Sequence, residues 1–158
     1  MPYHILIVDD NERSLYMLQM LLQGHNYKVT SAGNGVEALA AARNNPPDMI
    51  ITDILMPVMD GFALCHQWMD DSQLKDIPFV FYTATYTDSK DENFALTLGA
   101  TRFIRKPMEP DLLIKEVQKI FKEHRTGQKI TSTNSVEKEA IYLKEYNQAL
   151  VRKLEDKM

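Results

Sequence analysis

A single cysteine, Cys65, in 158 residues excludes an intrachain disulfide and a cysteine-built zinc site. No apolar run approaches the roughly 18 residues of a membrane-spanning helix, and the start "MPYHILIVDD" lacks the pattern of a signal peptide. Positive charge is not in excess. Lys and Arg number 18 against 22 Asp and Glu, giving a net −4 and a pI near 5.5, so the electrostatic footprint of a nucleic-acid binder is missing. Internal repeats and low-complexity tracts are absent too. These absences leave a cytoplasmic, reducing setting, with no nucleic acid and no membrane as partner of this chain.

A hydrophobic share of 44% is enough for one well-buried core with length to spare. The acid is uneven. Residues 1–125 carry 12 Lys/Arg against 17 Asp/Glu, a net −5, and the remainder carries 6 against 5, a net +1. Short β-rich runs alternate with helix-period stretches over the acidic part. "YHILIV" (3–8), "YKVTSA" (27–32), "DMIIT" (48–52), "IPFVFYT" (77–83) and "TRFIR" (101–105) read as five strands. Between them, Leu15, Leu18 and Leu22 share one helical face, and Val36, Leu39 and Ala42 share another. Asn34 with Glu37 resembles a capping box. Further helices are expected over 60–69 and 88–98, the latter stopped by Gly99. The fifth starts at Pro110, with Leu113, Val117, Ile120 and Phe121 inward.

This alternation predicts an α/β fold with a parallel sheet covered on both faces by helices. In such sheets ligands gather at the carboxyl ends of the strands. The residues expected there are Asp9, Asp10, Asp53, Thr83 and Lys106. Taken singly, each has an ordinary reading as a cap, a turn residue, a strand residue or a solvated lysine. Convergence on one edge changes that. Three crowded carboxylates repel and call for a cation. Oxygen ligands without His or Cys select a hard ion, Mg²⁺. A carboxylate can act as nucleophile toward phosphorus, and a lysine with a hydroxyl can hold the transferred oxygens. The edge is composed for phosphoryl transfer onto a carboxylate.

The segments "ILIVDDN", "DMIITDILMPVMDG", "FVFYTA" and "GATRFIRKP" stand in the order and at the spacing of a known family. Over about residues 3–124 the chain resembles a response-regulator receiver domain (CheY-like) of two-component signalling. The resemblance implies a doubly wound, flavodoxin-like sheet of strand order 2-1-3-4-5 with five flanking helices. It implies that Asp53 is the phospho-acceptor. Mg²⁺ would be held by Asp9, Asp10, Asp53 and the backbone carbonyl of Leu55. Thr83, with the backbone N–H of Ala84, and Lys106 would hold the phosphoryl group. A cis Lys106–Pro107 bond is expected, and Phe103 would be the aromatic that moves when Thr83 moves, altering the face of helix four, strand five and helix five. The partner would be a sensor histidine kinase or a phosphotransfer protein. Beyond its own phosphorylation and autodephosphorylation the chain would catalyse nothing. Leu55, apolar and beside Thr85 on the path for hydrolytic water, suggests a long-lived phosphoryl group.

The competing readings have sequence markers. A phosphohydrolase with an Asp nucleophile usually carries a second Asp two residues on, where Leu55 stands. A flavodoxin-like binder needs a glycine or hydroxyl cradle after the first strand, where the chain is acidic. His4, His25, His66 and His124 are scattered and read as ordinary histidines. Trp68 reads as a packing residue and the methionines as core filler.

After the receiver (1–124), residues 125–135 read as a polar linker and 136–158 as a C-terminal extension helix. Val136, Ala140, Leu143, Asn147, Leu150 and Leu154 repeat at heptad spacing, with Glu139 and Lys144 as flanking charges. Two arrangements fit: a coiled coil forming a homodimer through 136–158, or a helix folded back onto the receiver. The segment also resembles helices that lead to a downstream domain, which would make the chain an N-terminal piece of a larger protein.

Overall fold

The computed structural model describes residues 3–85 and 88–125, together with Tyr146 and Ala149. Five strands alternate with five helices: β1 (His4–Val8), α1 (Glu12–Gln23), β2 (Lys28–Ala32), α2 (Gly35–Asn44), β3 (Met49–Thr52), α3 (Gly61–Met69), β4 (Phe79–Thr83), α4 (Ser89–Leu98), β5 (Arg102–Arg105) and α5 (Pro110–Arg125). All strand pairs are parallel, in the order β2-β1-β3-β4-β5. The expected α/β sheet and its strand order are both present.

Continuous apolar runs in β1, β3 and β4 follow from burial on two faces. Along these strands alternate residues enter two separate cores. Leu6, Val8, Ile50, Phe79 and Phe81 join the side covered by α2, α3 and α4. Ile5, Ile7, Met49, Ile51 and Val80 join the side covered by α1 and α5. Trp68 is fully buried, stacks edge-on against Phe79, and donates its indole N–H to the Ile77 carbonyl at 3.3 Å. It is a packing residue, as the sequence suggested.

Side-chain caps start the helices. Asn11, Asn34, Asp60 and Asp88 each accept a backbone N–H three residues on, satisfying donors that the first helical turn leaves without partners. The capping box at Asn34 differs from expectation in one arm. Glu37 reaches back to the N–H of Gly33 at 2.9 Å rather than to that of Asn34. Gly99 ends α4 with φ at +115°, a conformation that favours glycine.

Two sequence expectations are corrected. Val36 is 48% exposed, and the buried face of α2 is Gly35, Ala38, Leu39 and Ala42. Gly35 lies against Met59 so closely that a Cβ would stand 2.6 Å from Cγ of Met59; that contact turns α2 and leaves Val36 in solvent. The methionines are not uniformly core filler, because Met17 and Met20 project from α1 beside Tyr16. The linker 125–135 and the heptad positions of 136–158 lie outside the described residues, apart from Arg125 at the end of α5.

Candidate functional site at the strand ends

One residue beyond β1, β3 and β5 the backbone stays hydrogen-bonded, which fixes where the site side chains begin. The amide of Asp9 donates to the Ala32 carbonyl at 3.1 Å, that of Asp53 to Val8 at 2.9 Å, and that of Lys106 to Thr83 at 2.9 Å. The carboxylates and the ammonium therefore start from the edge of a rigid sheet rather than from free loops.

The side chains meet. Lys106 Nζ donates to Oδ2 of Asp9 at 2.9 Å and to Oδ2 of Asp53 at 3.3 Å. The second oxygens are held from the backbone: Oδ1 of Asp9 accepts the N–H of Asn11 at 3.0 Å, and Oδ1 of Asp53 accepts the N–H of Ile54 at 2.6 Å. Asp9 is buried, whereas Asp10 is exposed on the rim. Burial pushes the Asp10 carboxyl upward, and the charges of Asp9 and Asp53 push it the same way. Burial works against the charge of Lys106, but its bond to Asp9 and the charge of Asp53 prevail and hold the ammonium above its ordinary range.

Two carboxylates thus share one ammonium, with the Asp10 carboxyl at the rim, and the donor set is all oxygen, which suits a hard divalent cation. Among the described residues no three of His, Cys, Asp and Glu are gathered into a ready metal cage. Here Lys106 bridges Asp9 and Asp53. Leu55 is exposed in the loop that follows β3, and Ala84 is exposed just after β4. Thr83 is fully buried and its hydroxyl accepts the N–H of Thr85 at 3.2 Å. Phe103 is half-buried on β5, its ring 6.1 Å from that of Phe81, with the Arg105 guanidinium 5.5 Å from its centroid. The Lys106–Pro107 bond is cis. The structure thus puts Asp9, Asp53 and Lys106 in direct contact, with Asp10 and Thr83 at the same edge.

Three features were not anticipated. Tyr82 lies beneath the ammonium, with Lys106 Nζ 5.2 Å from its ring centroid, a cation–π contact. An aromatic one residue before Thr83 was the only available signal. The second is the path of the 53–61 loop. The Met59 N–H donates to the Pro57 carbonyl at 2.7 Å around Val58, whose φ is +68°. That is a γ-turn of the rarer, strained hand. The loop closes where the Gly61 N–H donates to the Ile54 carbonyl at 2.7 Å. A Cβ on Gly61 would lie 2.3 Å from the Asp53 carbonyl oxygen, so only glycine fits beneath Asp53. The third is a groove of about 340 Å³ between α1 and α5. Leu15, Leu18, Leu21, Tyr82 and Leu113 line it, and it opens at Asp9, Asp53 and Lys106.

A family model, "Response regulator receiver domain", matches residues 5–118. Protein PilH of Pseudomonas aeruginosa is 33% identical over 117 residues, covering 74% of this chain and 96% of PilH. Response regulator PleD of Caulobacter vibrioides is 36% identical over 121 residues, 76% of this chain but only 26% of PleD. This chain therefore spans about a quarter of that relative. Among solved structures, chemotaxis response regulator CheY4 of Vibrio cholerae superposes with a TM-score of 0.71 at 35% identity, covering 76% of this chain and 99% of CheY4. The chain belongs to the response regulator receiver domain family, the phosphorylation-regulated switches of two-component signalling.

Proposed function

We propose that Asp53 accepts a phosphoryl group from a phosphohistidine of a partner kinase or phosphotransfer protein. The observation that carries this reading is the single ammonium of Lys106 spanning the carboxylates of Asp9 and Asp53. A carboxylate anchored to a strand end, with a cation already beside it, is poised as a nucleophile toward phosphorus.

Asp9, Asp10, Asp53 and the backbone carbonyl of Leu55 are the residues to hold Mg²⁺. When bound, the ion neutralises charge on the carboxylates and on the incoming phosphoryl oxygens. An oxygen of Asp53 attacks phosphorus in line, the P–N bond of the donor breaks, and the departing imidazole takes up a proton. Lys106 leaves the carboxylate pair to bind a phosphoryl oxygen. The Thr83 hydroxyl turns from Thr85 to another, joined by the N–H of Ala84. Phe103 then moves into the room that Thr83 vacates and adds apolar burial without needing a polar partner. The altered α4–β5–α5 face controls a downstream domain or partner. Met17, exposed on α1 and lining the groove at the site, together with the exposed Tyr16 and Met20 of the same helix, offers the donor an apolar landing.

Incubation with acetyl phosphate and Mg²⁺, followed by intact mass, tests the reading. The expected result is one phosphoryl adduct, resistant to acid, labile to base and abolished by Asp53→Asn. No adduct, or rapid turnover of many phosphate esters, would overturn it. With Leu55 in place of a residue able to orient water, the adduct is expected to last well beyond seconds. A Phe103 that keeps one rotamer with and without a phosphoryl mimic would refute the switching step.

A further inference from the structure

The loop that begins at Asp53 ends at Asp60, and the carboxylate of Asp60 is shared between two tasks. Its Oδ1 caps α3 by accepting the Ala63 N–H at 2.9 Å. Its Oδ2 accepts the hydroxyl of Tyr146 at 2.5 Å, 86 positions along the chain. The Tyr146 ring stands edge-on to Phe62, centroids 6.5 Å apart at 80°. Ala149, three residues on, is 0% exposed and belongs to the core on the α2–α3–α4 side. Both residues are helical, and residues three apart share one helical face. Neither is among the six heptad positions of 136–158. The contact combines a charge-assisted hydrogen bond, an aromatic edge and a fully buried methyl. That is more than a surface graze.

We propose that the chain's own C-terminal segment is a latch, seated through Tyr146 and Ala149 on the start of α3 and released when Asp53 carries a phosphoryl group. The second half rests on the reading of Asp53 as acceptor. Two physical connections join seat and site. One is the short loop, closed by the Gly61 N–H on the Ile54 carbonyl and tight against the Asp53 carbonyl. The other is a line of rings: Tyr146 meets Phe62, Phe62 meets Phe81 at 5.6 Å, and Phe81 meets Phe103 at 6.1 Å. Phe62 and Phe81 are fully buried and have no slack, since protein interiors are close-packed. A step of Phe103 into the room left by Thr83 therefore changes its packing on Phe81, the line carries that change through Phe62, and Tyr146, its outermost and half-buried member, is the one able to leave. By linkage, the seated tail must oppose phosphorylation as much as phosphorylation opposes seating.

Hydrogen exchange on the full chain, with and without Mg²⁺ and beryllofluoride, tests both halves. Peptides over 142–150 and 60–64 are expected to exchange about tenfold faster with the phosphoryl mimic, the scale of losing one hydrogen bond to a charged group. Without the mimic, Tyr146→Phe and Ala149→Glu should produce the same acceleration at 60–64 while α5 keeps its protection. If the mimic binds by calorimetry and exchange is unchanged or slower, the latch is overturned and the acceptor reading stands. If the mimic does not bind, the acceptor reading and the release fail together. The seat is then upheld by faster exchange at 60–64 in the two variants and overturned by its absence. A mass of two chains in light scattering, halved by Ala149→Glu, would assign the seated segment to a second copy and overturn the intramolecular latch.

Discussion

Lys106 stands closer to Asp9 than to Asp53, at 2.9 Å against 3.3 Å, so the lysine is held by the carboxylate that is not the proposed acceptor. In that position the ammonium serves as the internal cation of an acidic cleft. It leaves Asp53 less fully engaged, with its second oxygen steadied by the Ile54 N–H.

The first prediction follows from that asymmetry. Lys106→Gln removes the one cation that, among the described residues, is bonded to Asp9 and Asp53, and metal-free protein should lose about 2 kcal/mol, as for a charge-assisted bond in a half-buried site. Mg²⁺ should restore more stability to the variant than it adds to wild type, because the ion then meets no competing ammonium. Urea unfolding in EDTA and in Mg²⁺ reads both quantities. Equal Mg²⁺ increments in the two proteins would show that Lys106 and the ion do not compete.

Gly61 sets the position of Asp53 from below. In Gly61→Ala the new Cβ would meet the Asp53 carbonyl oxygen at 2.3 Å and the Ile54 Cα at 2.8 Å, backbone atoms that cannot swing aside. The expected cost is about 3 kcal/mol, at the upper end for overpacking, with loss of adduct formation at Asp53. Gly33→Ala is the control. Its Cβ would meet only the flexible Glu37 carboxylate at 3.4 Å, and stability should change by less than about 0.5 kcal/mol. Denaturant midpoints of the pair decide the matter.

Much of this site was legible before any coordinates. Asp9, Asp53 and Lys106 could be placed because β-α alternation fixes the strand ends, and the strand ends fix the edge. The contact beneath Asp53 was not. "MDG" announces a helix start at Gly61, but only the folded loop reveals that its Cα lies on the Asp53 carbonyl. Helical periodicity identified the apolar face of α1 through Leu15, Leu18 and Leu22, yet it has no rule for Met17 and Met20, which stay outside. For α2 it counted Val36 inward, because spacing alone cannot foresee Met59 packed on Gly35. The Tyr146–Asp60 bond spans too much chain for any local pattern to announce it.

Val58 should be improvable. It is 81% exposed and carries φ at +68°, a conformation in which a β-branched residue is strained by about 1–2 kcal/mol. Asn tolerates this region, and little packing would be lost. Val58→Asn is therefore expected to raise stability by about 1 kcal/mol in chemical denaturation. A destabilised variant would mean that the turn around Val58 is not in this conformation in solution.

His4 makes acid unfolding residue-specific at the far end of the sheet from the acidic edge. It is buried at the start of β1, its Nε2 lies 2.6 Å from Oγ1 of Thr30, and its backbone N–H donates to Asp48. Burial lowers its pKa from the ordinary 6.5, the nearby Lys28 lowers it further, and Asp48 pulls the other way without prevailing. A folded-state pKa below the unfolded value means that the unfolded chain binds the extra proton first. The associated stability is therefore intact above 6.5 and is lost as pH falls from there through the lowered value. His4→Gln keeps a hydrogen-bonding side chain but cannot titrate. The denaturant midpoint of wild type should consequently fall more steeply than that of His4→Gln between about pH 7 and pH 5, the range in which histidine changes charge. Carboxylate effects are common to both proteins and cancel in the difference. Parallel pH profiles would show that His4 takes up its proton equally in the folded and unfolded states, against its burial beside Thr30.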